Sequence, residues 1–212
     1  MTSGKNWQQN LRGLYLVTPD WNDTGRLLDV TEEALAAGVS LLQYRHKTAQ
    51  IELRYAQASA LQNLCQKYAV PFIVNDFVNL ALQLNADGVH VGGRDVSVAQ
   101  ARSSLGPDKI VGASCYGDLS LAHLAQLQGA SYMAFGGFYP SAVKQYSFTT
   151  CPSIVETAKV ELSLPQVVIG GMTVDLARPL VARGADMVAA ISSVYNATKP
   201  GQVVKDFVAL FQ

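Results

Sequence analysis

The chain has 212 residues, 49% of them hydrophobic and 15% charged, which is enough apolar material for one domain with a sizeable core. Lys plus Arg and Asp plus Glu stand at 16 each, so no global field draws in nucleic acid and any anion site must be built locally. No apolar run approaches the roughly 20 residues that span a bilayer, which excludes a helical membrane protein.

Short β-branched or apolar runs alternate with longer amphipathic stretches throughout. In chain order the runs are LYLV (14–17), LLQY (41–44), FIVN (72–75), GVHV (88–91), IVGAS (110–114), YMAF (132–135), QVVIG (166–170) and MVAAI (187–191). Each has the length and composition of a strand buried on both faces. Between the first two, Leu27, Leu28, Val30, Ala34, Leu35 and Ala37 recur at three- and four-residue steps, as a helix requires. Leu53, Ala56, Ala60, Leu61 and Leu64 repeat the pattern before the third run, and Leu119, Ala122, Leu124, Ala125 and Leu127 before the sixth. The segments 75–88 and 91–110 are shorter and their helical pattern is weaker. Gly38, Gly129 and Gly184 each stand where a helix closes in the left-handed conformation. A last helix runs over about 202–211.

Strands joined by helices run parallel. Eight such units predict a closed (β/α)8 barrel occupying residues 1–212 as a single domain. An open doubly wound sheet would instead show a G-x-G-x-x-G turn after the first strand, and here that strand runs into TPDWND. The cysteines, Cys65, Cys115 and Cys151, are odd in number and outside any CxxC pattern, so neither a disulfide framework nor a zinc site is expected. Together with the polar start MTSGKNWQQNLRG, this leads us to expect a cytoplasmic protein.

A barrel places its active site at the C-terminal strand ends. There the second run continues into Gln43, Arg45 and Lys47, whose alternate spacing points one amide and two cations the same way. The third run ends in Asn75-Asp76, and the fourth leads through Gly92-Gly93-Arg94 to Asp95. Two carboxylates beside cations fit a magnesium diphosphate, because Mg²⁺ takes oxygen ligands from one or two carboxylates and from substrate phosphates. Helix capping by Asp76 or a general acid/base pair are the other readings of these residues. Ser114 ends the fifth run, a Gly-, Pro- and Ser-containing loop (136–144) ending in Lys144 follows the sixth, and Gly170-Gly171 and Ile191-Ser192-Ser193 follow the last two. Loops after strands seven and eight of such barrels hold phosphate through backbone N–H groups. His46, His90 and His123 share no ligand-like spacing and read as structural or surface residues. Cys115 reads as a buried small residue rather than a nucleophile, and Tyr15, Tyr132 and Phe135 read as barrel packing.

Five blocks carry a resemblance to a known family: QYRHK (43–47); NDF (75–77) with ADGVHVGGRD (86–95); GAS (112–114); FYPSAVK (138–144); and IGGM (169–172) with AAISS (189–193). In order and spacing they resemble the thiamine phosphate synthases. That resemblance implies transfer of an aminopyrimidine methyl group from its diphosphate to the nitrogen of a thiazole phosphate, through a pyrimidine carbocation. It implies that Gln43, Tyr44, Arg45, His46, Lys47, Asn75, Ser114 and Lys144 hold the pyrimidine diphosphate, with Lys47, Lys144 and Ser114 as the catalytic groups. Asp76 and Asp95 would hold Mg²⁺, and Ser141, Ala142 and Val143 with Gly171, Ile191 and Ser192 would hold the thiazole phosphate. The partners implied are these small molecules, with neither nucleic acid nor membrane among them, and a homo-oligomer is left open. The chain departs from the family pattern at Phe77 (usually Arg), at Val143 (usually Thr), at Gly93-Arg94 (usually Gln-Glu) and at Gln145-Tyr146. The alternative readings are a thiazole tautomerase-like barrel, which tends to lack the Asn-Asp pair and second Asp kept here, and a non-catalytic phosphate-ligand sensor.

Overall fold

A computed structural model describes residues 11–92, 96–140 and 147–212. Eight parallel strands close into a barrel in sequence order: β1 Gly13–Val17, β2 Leu41–Tyr44, β3 Phe72–Asn75, β4 Gly88–Val91, β5 Ile110–Tyr116, β6 Tyr132–Gly136, β7 Gln166–Ile169 and β8 Met187–Ala190. β1 pairs with both β2 and β8, which completes the ring. The helices are α1 Thr24–Ala36, α2 Ile51–Lys67, α3 Val78–Leu84, α4 Val98–Leu105, α5 Leu119–Leu127, α6 Ser153–Glu161, α7 Val174–Ala182, α8 Ser192–Tyr195 and α9 Pro200–Val208. No helix among the described residues is long and apolar enough to cross a membrane.

Strand alternation sorts the side chains into two apolar layers. The inward set packs Tyr15, Val17, Leu41, Ile73, Ile110, Tyr132, Val167, Met187 and Ala189 inside the barrel. The outward set, with Leu16, Leu42, Val74, Val89, Phe135 and Val188, packs against the helices. Because both faces of each strand are buried, the strands read as continuous apolar runs rather than alternating ones. The three helix-closing glycines have φ of 112° (Gly38), 84° (Gly129) and 108° (Gly184), which only glycine adopts freely.

Beyond one-residue shifts at the ends of β1, β6, β7 and β8, two details differ from the sequence reading. β5 extends two residues beyond Ser114 and shifts register between Ser114 and Tyr116, an extra residue that bends the strand at the mouth. The last unit holds two helices, since the four-residue α8 precedes α9. The two segments with the weaker pattern do carry short helices, of seven (α3) and eight (α4) residues, the second opened by a Ser97–Gln100 capping box.

Candidate active site

The C-terminal strand ends surround a cavity lined by Tyr15, Gln43, Arg45, His90, Ser114, Tyr116, Ile169 and Ile191 among others. The extension of β2 divides as the alternation requires. Gln43 and Arg45 face the cavity, whereas Tyr44 turns outward, its hydroxyl donating to Gln57 Oε1 of α2 at 3.1 Å. His46, 2% exposed, meets Asn22 Oδ1 through Nε2 at 3.2 Å. The structure therefore brings Gln43 and Arg45 together at the mouth and leaves Tyr44 and His46 behind the strand.

The segment after β1 fixes this extension. Thr18 Oγ1 accepts from Arg45 N at 2.8 Å and donates to Arg45 O at 3.0 Å, so both backbone groups of Arg45 are held. Asp20 takes Arg45 Nη1 at 2.9 Å on one carboxylate oxygen and the Lys47 backbone N–H at 3.0 Å on the other. Arg45 Nε is buried without a partner among the described residues. A buried guanidinium with one donor unfilled suits an anionic ligand. Thr18 and Asp20 went unread in the sequence. Their signal was the polar triplet TPD at a strand's C-terminal end, where barrel sites are built.

At the end of the neighbouring β3, Asp76 sits at φ 61°, in the left-handed region that Asp tolerates better than most residues. Its N–H bonds His90 O at 2.9 Å, which anchors the strained residue to the end of β4. Its carboxylate Oδ2 accepts from Asn75 Nδ2 at 2.7 Å and lies 3.6 Å from Lys47 Nζ. Strain held in place by its surroundings marks functional sites. The other oxygen, Oδ1, lies beside Gly92, from which the chain leads toward Asp95. Asp95, with Gly93 and Arg94, falls outside the described residues, as do Ser141, Ala142, Val143 and Lys144 and the departures Gln145 and Tyr146. Among the described residues no three His, Cys, Asp or Glu side chains gather to hold a metal. One carboxylate with a neighbouring amide suits Mg²⁺, whose shell is completed by substrate oxygens and water. Phe77 lies under Arg54, with Cζ 3.8 Å from the ring centroid.

The far side is built from main chain. Gly171 has φ 62°, and a Cβ there would strike Pro140 O. Gly170 has φ 120° and a Cβ there would meet Gly137 N at 3.0 Å. Ile191, 8% exposed, lines the cavity, and Ser192 opens α8 on the surface.

His90 is part of the site, contrary to the reading from spacing. Its ring lines the cavity, bonds Ser114 Oγ through Nε2 at 2.9 Å and meets Tyr132 Oη through Nδ1 at 2.9 Å. Cys115 is fully buried, and that burial pushes its thiol up to about 12, which removes it as a nucleophile.

Residues 14–194 match the family model described as thiamine monophosphate synthase. A thiamine-phosphate synthase of Janthinobacterium sp. (strain Marseille) is 63% identical over 204 residues, covering 96% of this chain and 99% of that one. One from Nitrosomonas eutropha is 44% identical, covering 94% of each. Among solved structures, thiamine phosphate pyrophosphorylase from Pyrococcus furiosus superposes with a TM-score of 0.85 at 29% identity, over 97% of this chain and 98% of that one. A 3-hexulose-6-phosphate synthase, at 17% identity and a TM-score of 0.71, covering 94% of this chain and 100% of that one, shares the barrel alone.

Proposed function

The chain belongs to the thiamine monophosphate synthase family of transferases, and on that premise we propose that it joins an aminopyrimidine methyl diphosphate to a thiazole phosphate, releasing pyrophosphate. The C–O bond to the diphosphate breaks ahead of C–N bond formation, and the electron pair leaves with the diphosphate. The thiazole nitrogen then supplies the pair for the new bond. The observation that carries this reading is that the strand ends place Gln43 and Arg45, whose Nε is unfilled among the described residues, on the cavity wall, with Lys47 Nζ beside an Asp76 carboxylate oriented by Asn75 at the next strand end.

In this reading Arg45 and Gln43 bind the diphosphate, and Lys47 Nζ, with Lys144, stands by the oxygen that gains charge. Asn75 holds the Asp76 carboxylate in one orientation through its 2.7 Å bond. Asp76 and Asp95 would hold Mg²⁺, which when bound supplies neutralisation of the leaving diphosphate. Ser114 donates to the same group. Gly171, Ile191 and Ser192, with Ser141, Ala142 and Val143, receive the thiazole phosphate, so the nucleophile meets the pyrimidine methylene in a fixed orientation. Ile169, Ala134 and Ala189 supply apolar wall to the cavity, which limits water as a competing nucleophile.

The test incubates the protein with both substrates, with Mg²⁺ or with EDTA, and follows thiamine phosphate as thiochrome fluorescence. An Asp76→Ala/Asp95→Ala variant runs alongside. Product that needs Mg²⁺ and vanishes in the variant is the expected outcome. Folded protein that binds thiazole phosphate yet forms no product would sink the synthase reading.

A further inference from the structure

Five side chains from five strands form one hydrogen-bonded line across the barrel interior. Gln43 Nε2 donates to Tyr15 Oη at 2.6 Å, and Tyr15 Oη meets Tyr132 Oη at 2.6 Å. Tyr132 Oη meets His90 Nδ1 at 2.9 Å, and His90 Nε2 meets Ser114 Oγ at 2.9 Å. The two ends, Gln43 and Ser114, are both residues that the proposed function places on the diphosphate. The three residues between them have no assigned part.

The number of hydrogens fixes the direction of this line. Both tyrosines are fully buried, and burial holds each phenol far above its usual range, so each keeps one hydrogen and has one to give. Tyr15 accepts from the Gln43 amide, so its own hydrogen goes to Tyr132. Tyr132, having accepted, gives its hydrogen to His90 Nδ1. An imidazole that accepts at Nδ1 carries its proton at Nε2, which faces Ser114. Ser114 Oγ therefore accepts within the protein, and its hydrogen is left for the cavity.

We propose that Gln43, Tyr15, Tyr132 and His90 form a proton-ordered line that locks His90 as the neutral Nε2–H tautomer and commits the Ser114 hydroxyl to donate into the mouth. Tyr15, Tyr132 and His90 are thus positioning residues for the diphosphate, a consequence that rests on the proposed function. The reverse order needs the Gln43 carbonyl oxygen toward Tyr15. Ser114 would then give its hydrogen to His90 and offer an anion only lone pairs.

Packing keeps the line in register. His90 stacks on Tyr132 with an interplanar angle of 17° and centroids 5.7 Å apart, while Tyr15 meets Tyr132 edge-on at 88°. The Tyr132 ring crosses β5 where Gly112 has no side chain, and any Cβ at that position would fall inside the ring.

The experiment reads the His90 tautomer in the ¹⁵N-labelled full chain, without substrate, from long-range ¹H–¹⁵N correlations assigned with a His90→Gln variant. The expected result is a proton on Nε2 and an unprotonated, pyridine-like Nδ1. Tyr132→Phe deletes the hydroxyl that makes Nδ1 accept, and should turn the single tautomer into a mixture and lower kcat/KM roughly tenfold, as loss of one directed hydrogen bond would. Tyr15→Phe, which breaks the line one step earlier, gives the same mixture and serves if Tyr132→Phe does not fold. A proton on Nδ1 in the unaltered protein, or the same single tautomer in both folded variants, would overturn the proposal. An Nε2 proton in a protein that forms no thiamine phosphate supports the line and overturns the synthase reading, so the two failures are distinguishable.

Discussion

On the β2–β4 side of the mouth Arg45, Lys47, Asn75 and Asp76 present charged or amide ends, while on the β6–β8 side Gly137, Gly170, Gly171 and Ser192 present main chain and one small hydroxyl. The first side includes a side chain that the fold hardly needs, since Lys47 is half exposed. The second side makes binding and folding the same property, because Gly170 and Gly171 hold positive φ and lie against Gly137 and Pro140. Substitutions on the two sides should therefore separate turnover from stability.

The sharpest separation is expected at Lys47. Lys47→Ala should lower kcat by about 10²–10³-fold, the loss typical of a preorganised charge aimed at a transition state. Its urea midpoint should barely move, since exposed side chains without packing contribute within about 0.5 kcal/mol. A comparable loss of stability would place Lys47 in the scaffold and break the contrast.

Gly171→Ala tests the opposite side. The new Cβ meets Pro140 O at a backbone angle that L side chains seldom adopt, so unfolding in urea should show a loss of about 1–3 kcal/mol. KM for the thiazole phosphate should rise more than kcat falls. An unchanged urea midpoint would mean that the β6 and β7 loops separate more readily than their contact implies.

Much of this was legible in the sequence. Three strands, LLQY, FIVN and GVHV, begin and end where their runs do, because all four residues of each are buried. α8 was not legible, since four residues, SSVY, are too few to show a helical period. Gln43, Arg45 and Lys47 were readable through alternation, and the same rule sends Tyr44 and His46 outward. His90 was set aside because its partners, Tyr132 and Ser114, come from strands that barrel closure brings beside it, 42 and 24 residues away. Thr18 and Asp20 escaped for a related reason, acting on Arg45 and Lys47 through contacts spanning 25 to 27 residues.

Asp20 belongs to both halves of the contrast, since it is a charged side chain whose work is to brace backbone. Asp20→Ala should cost about 1 kcal/mol, by freeing the Lys47 N–H and an ion pair that is partly exposed on the Asp side. It should also lower kcat/KM roughly tenfold, as Arg45 and Lys47 lose their fixed placement. A urea titration beside steady-state rates would show both. Lost activity with full stability would make Asp20 a ligand contact instead.

The smallest effect is expected at Arg54, at the outer margin of the charged side. Its guanidinium covers the Phe77 ring and donates to Ala49 O at 2.7 Å. Phe77 stands where the family pattern has Arg, so a cation lies over this position even though the residue itself is apolar. If that cation only packs, Arg54→Met should keep the aliphatic cover of the ring and reduce stability by about 0.5–1 kcal/mol, the worth of a cation–π contact near the surface. Turnover should then stay within roughly twofold of the unaltered protein. If Arg54 instead takes over the charge of the missing Arg, KM for the diphosphate should rise at low salt and the difference should shrink as salt is added. Following KM for both proteins across a salt series separates the two, because a packing role predicts parallel curves and a charge role predicts converging ones.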